Sequence, residues 1–80
     1  MAELWKYKFG NQAIEVQNNT VVAKLYVNGK LQDQKKGLLT ANLRGKLVSG
    51  EEVRVSLKAG FIPKCSLFID DVLQEPVEDE

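Results

Sequence analysis

Three sets of residues in this 80-residue chain are of types that could do chemistry: eleven Lys and Arg, a single Cys65, and acids gathered toward the C-terminal end. The chain has no histidine, so the commonest general base and metal ligand is missing. Ser-His-Asp and Cys-His nucleophile arrangements are therefore out of reach. One cysteine without histidine makes neither an internal disulfide nor an ordinary structural zinc site. Cys65 alternates with Lys64 and Ser66 on the parity of Leu67 and Ile69, which marks a buried structural thiol and not a nucleophile. Asp70, Asp71, Glu75, Glu78, Asp79 and Glu80 lack the ligand rhythm and turning glycine of a calcium loop. Asp70-Asp71 reads instead as a hairpin turn. The six glycines stand singly at turn positions, in neither a dinucleotide-binding nor a P-loop pattern. The expectation is a non-enzyme with no cofactor, no metal site and no catalytic residues.

The charge is more informative than its zero sum. Residues 1–69 hold all eleven Lys and Arg against five acids, a net +6, and residues 70–80 are −6. A basic body can be a nucleic-acid surface, built here from Lys24, Lys35, Lys36, Arg44, Lys46 and Arg54, with the acidic tail competing for it. The rival reading is solvated lysine on exposed strand faces, favoured because no basic run exceeds the two residues Lys35-Lys36. Trp5, Tyr7 and Phe9 interleave with Lys6 and Lys8, but alternation sends rings and cations to opposite faces. A stacking platform for single strands needs both on one exposed face, so the rings belong to a core.

The elements that position these side chains have a period of two. Ile14/Val16, Val21/Ala23/Leu25/Val27, Val53/Val55/Leu57 and Cys65/Leu67/Ile69 alternate with mainly polar residues, each set describing one buried strand face. Turn signals separate them at Gly10-Asn11, Asn18-Asn19, Asn28-Gly29, Ser49-Gly50, Ala59-Gly60 and Asp70-Asp71. The pattern predicts an all-β chain, an antiparallel β-sandwich of seven or eight short strands joined by hairpins, with a small partly open β-barrel as the alternative. LLTANLRGKLV (38–48) places Leu39, Leu43 and Leu47 at helical spacing, yet Gly45, Thr40 and the lack of an N-cap favour a strand. Residues 1–75 read as one domain, with 76–80 an acidic tail too poor in apolar residues to hold itself down. No apolar run approaches the roughly 20 residues of a membrane span, and the N-terminus has no signal-peptide stretch. A cytoplasmic protein is expected, with no membrane partner.

The chain says nearly the same thing twice: KLYVNGKLQD at 24–33 and SLFIDDVLQE at 66–75. Both read as strand, tight turn, strand. Two related β-units packed face to face would explain the repeat, as would reuse of hairpin chemistry. Leu25/Leu67, Val27/Ile69 and Leu31/Leu73 are then expected core pairs, with Tyr26 and Phe68 on the opposite parity. Outward-facing Tyr26 and Phe68, with Val22 and Ile62 near and Lys24 and Lys64 at the rim, would form an apolar patch for a protein partner or a homodimer.

The succession of Trp5 to Val16 with its Gly turn and I-E-V, then Leu25 to Leu31, L-R-G-K at Leu43 to Lys46, and L-F-I-D-D at Leu67 to Asp71 resembles a single β-sandwich domain of the Fas apoptotic inhibitory molecule family. That resemblance implies a compact antiparallel sandwich without catalytic residues. The family carries two such domains in tandem where this chain has room for one, so its anti-apoptotic role does not transfer. Two functions are therefore expected in order: a small interaction module working by protein contact or self-association, and, second, a small nucleic-acid-binding barrel.

Overall fold

A computed structural model describes residues 3–19, 21–36, 40–58 and 63–77. Eight strands run in chain order: β1 (Glu3–Phe9), β2 (Gln12–Asn18), β3 (Val22–Val27), β4 (Lys30–Lys36), β5 (Thr40–Lys46), β6 (Glu52–Lys58), β7 (Lys64–Ile69) and β8 (Val72–Leu73). They form two antiparallel meanders of four, β1-β2-β3-β4 and β5-β6-β7-β8, not closed into a barrel. The expected sandwich is thus present. Among the described residues there is no helix, and so none long and apolar enough to cross a membrane.

The two copies of the repeat are the β3–β4 and β7–β8 hairpins. Asn28 and Gly29 have φ of 52° and 81°, and Asp70 and Asp71 have 48° and 67°. Positive φ at both central residues is the type I′ turn, whose twist matches that of the paired strands. Each turn is clamped in the same way to the preceding strand. Asn28 donates its N–H to the Ala13 carbonyl at 2.7 Å and accepts the Ala13 N–H on Oδ1 at 2.9 Å. Asp70 does the same with Glu52, both at 2.9 Å. With these clamps superposed, β1 to β4 correspond to β5 to β8, and the repeat is one of structure.

The inner faces meet in a core of Tyr7, Ile14, Val16, Ala23, Leu25, Val27, Leu43, Leu47, Val53, Val55, Leu57, Leu67 and Ile69, with Trp5, Phe9, Ala41 and Cys65 packed against it. Neither meander alone could keep its apolar face from water, at about 25 cal/mol per Å2. The 38–48 segment contributes β5 from Thr40, a strand and not a helix. Its leucine spacing misleads because four is also an even number: Leu43 and Leu47 face inward in an extended chain too. Leu39 and the Ala59-Gly60 turn lie outside the described residues, as do Ile62 and the acids 78–80.

Leu31 and Leu73 are not core residues; they are 47% and 55% exposed. The reason is the two-residue turn. Val27 pairs with Lys30 and Tyr26 with Leu31, as Phe68 pairs with Leu73. The residues flanking such a turn share a face, so the inward parity switches from odd to even across it. Leu31 and Leu73 therefore follow Tyr26 and Phe68 outward. Val21 is also exposed, ahead of β3.

The seam between the sheets is stitched by side chains. A bulge at Gln32 returns β4 to odd parity, pairing Asp33 with Leu25. Asp33 Oδ2 then accepts the Arg44 N–H at 2.9 Å, and Gln32 Oε1 the Lys46 N–H at 3.4 Å. Gly45 lies between them, where a Cβ would sit 3.0 Å from Gln32 Cβ and 3.1 Å from Leu25 Cδ2. At one end Gln12 bridges to the β5–β6 loop through Val48 N–H and Ser49 Oγ. At the opposite seam Val77 donates its N–H to the Lys6 carbonyl at 2.7 Å. Gly45→Ala should destabilise the protein by about 1–3 kcal/mol through overpacking at the seam, and Leu67→Ala by about 2–5 kcal/mol through a core cavity. Urea midpoints at unchanged slope check both.

Candidate functional site

The sequence points first to Cys65. It lies on β7 at the margin of the core and accepts a hydrogen bond from the Tyr7 hydroxyl, 3.3 Å away. Burial pushes the Cys65 thiol up, and the Tyr7 bond only partly opposes this. Burial also pushes Tyr7 well above its ordinary value, with the Cys65 bond acting in the same direction. A thiol kept protonated is a poor nucleophile, and the Tyr7 bond links β1 of one sheet to β7 of the other.

The register across the second sheet sets a different group of residues side by side. Arg44 pairs with Arg54, Arg54 with Phe68, and Phe68 with Leu73, all facing away from the core. The Arg54 guanidinium lies over the Phe68 ring, 5.8 Å from its centroid, within cation–π range. Its NH2 also bonds the carboxylate of Asp71. Arg44 has no ion-pair partner among the described residues. A depression of about 220 Å3 opens here between Asn42, Arg44, Arg54, Ser56 and Phe68, bordered by buried Leu43 and Val55. Two like charges opposite one another in neighbouring strands are unfavourable, so an anion set between them would relieve the repulsion.

The first sheet carries the corresponding row as Lys6, Glu15, Tyr26 and Leu31. There a cation faces an acid. Where Glu15 stands in one sheet Arg54 stands in the other, and where Gly29 closes one hairpin Asp71 closes the other.

The anticipated patch of Val22, Lys24, Tyr26, Lys64 and Phe68 is divided by this fold. Val22, Lys24 and Tyr26 lie on the outer face of the first sheet, and Lys64 and Phe68 on that of the second. The six basic residues are split as well. Lys24 and Lys36 belong to the first outer face, while Lys35 lies on the Ala23 side of edge strand β4. Arg44, Lys46 and Arg54 share the outer face of the second sheet. The sequence pattern alone places Phe68 and Arg54 in separate sets and Asp71 in a turn. The signal was available in the slightly different offset of I-E-V (14–16) and V-R-V (53–55), which aligns Glu15 with Arg54.

No family model matches the chain, and no curated protein or solved structure matches it. Among the described residues no group of His, Cys, Asp or Glu could hold a metal ion.

The Tyr7–Cys65 pair has a pH consequence. The folded Tyr7 pKa lies above the ordinary tyrosine value of about 10. The unfolded chain therefore gives up this proton first as pH rises, so the contribution is complete below about pH 10 and lost above it. Tyr7→Phe should flatten the fall in stability across that alkaline range, measured by thermal melts at stepped pH. An unchanged slope would show that Tyr7 does not govern it.

Proposed function

We propose that the protein is a non-enzymatic interaction module, cytoplasmic, that docks a protein partner on the outer face of its second sheet. The observation that carries this is the Arg44–Arg54–Phe68–Leu73 row, where apolar and cationic side chains share one outward-facing strip across four strands. Arginine and aromatic residues together are the common anchors of protein interfaces. A sequence without histidine and a protonated core cysteine support a binding role over a catalytic one. The resemblance to the Fas apoptotic inhibitory molecule family implies the same kind of role. A nucleic-acid reading is less well supported, because the Phe68 face that a base would stack on is occupied by Arg54.

Leu73 and Leu31 make a matched pair for the test, both exposed and at corresponding positions on the two outer faces. A photo-crosslinking amino acid at position 73 should give a discrete protein adduct in cells, whereas one at position 31 should not. Equal labelling from both, or labelling from 31 alone, would remove the second sheet as the docking face.

A further inference from the structure

We infer that the Arg44–Arg54 pair is a carboxylate clamp for an acidic segment of a partner protein, and that Asp71 is an internal competitor that occupies half of it in the free protein. The inference rests on the docking reading above and adds the chemistry of the partner. Three departures from the internal symmetry converge here. Arg54 replaces the acid that faces the cation of the first sheet, at the place of Glu15. Arg44 is left without an ion-pair partner among the described residues. Asp71 takes a positive φ of 67° where the matching hairpin uses Gly29, a residue that adopts it without steric cost.

Asp71 is the group that shows what the site accepts. Its carboxylate already rests on the Arg54 guanidinium, a donor fork whose geometry matches carboxylates. With side chains 46% and 80% exposed, this is a surface pair that an incoming anion can displace. Lys46, Lys58 and Lys64 extend positive charge over the same face, against Glu52 and Asp71. Asn42 and Ser56 add hydrogen-bonding groups to the depression. A segment in extended conformation with acids on alternate residues turns every carboxylate to one side, toward the arginines. The covered ring of Phe68 argues for a peptide over a nucleic acid.

The test is a backbone-amide NMR titration with a seven-residue peptide of alternating Glu and Val, and with its Gln counterpart. Wild-type protein should show saturable shifts at Arg44, Arg54 and Phe68 with the Glu peptide and none with the Gln peptide. Arg44→Ala should weaken binding at least tenfold. Asp71→Gly should tighten it two- to fivefold while raising Tm, because Asp-Gly is a favoured type I′ pair. Unchanged affinity in a stabilised Asp71→Gly variant would make Asp71 a turn residue only and overturn the competitor role. No peptide binding by that variant would overturn the clamp. Shifts of the same amides at lower concentrations of a single-stranded oligonucleotide would also overturn it, as would concentration-dependent shifts in the protein alone, which would assign the face to a second copy. Peptide failure alongside a crosslink from position 73 would remove the carboxylate chemistry and leave the docking face; loss of both would remove the face itself.

Discussion

Register is the constraint on which the rest of this structure depends, and it is fixed at two turns. Positive φ at Asn28–Gly29 and at Asp70–Asp71 admits only one pairing of the flanking strands. The reciprocal bonds of Asn28 with Ala13 and of Asp70 with Glu52 then carry that pairing to the next strand back. A slip of one residue would turn Leu25 and Val27, or Leu67 and Ile69, out to water and bring Lys24 and Tyr26, or Ser66 and Phe68, inward. Core and outer face are two sides of the same pairing.

The two meanders differ in how they fill the sandwich. Tyr7 faces Ile14 in the first, and Gly45 faces Val53 at the corresponding place in the second. The large residue reaches Cys65 across the sandwich. The small one lets Gln32 and Leu25 approach β5 closely enough for Asp33 and Gln32 to bond its edge. The halves share a topology but divide the work of closing the molecule.

Most of the fold was legible in the sequence because period two and turn chemistry are both local. Asn28-Gly29 announced its hairpin, and the alternation in β1, β2, β6 and β7 named their buried faces. Leu31 and Leu73 defy the parity of the preceding strand because a two-residue turn reverses it. The candidate site was less legible. Arg44, Arg54, Phe68 and Leu73 are spread over thirty residues of sequence, and only cross-strand register makes them neighbours. Outward-facing aromatics can be expected from parity; which cation lies beside them depends on pairing.

The side-chain bonds along β5 bear on how another chain could be recognised. Sheet proteins often bind peptides by letting them join an open edge as an extra strand, with backbone groups supplying the affinity. Here the N–H groups of Arg44 and Lys46 are taken by Asp33 and Gln32, and the Lys6 carbonyl by Val77. The final strand, β8, offers only two residues. An incoming strand would have to break these bonds before making its own. The β5 edge is thus guarded against indiscriminate backbone pairing, and the side chains of the open face are what another chain would meet there.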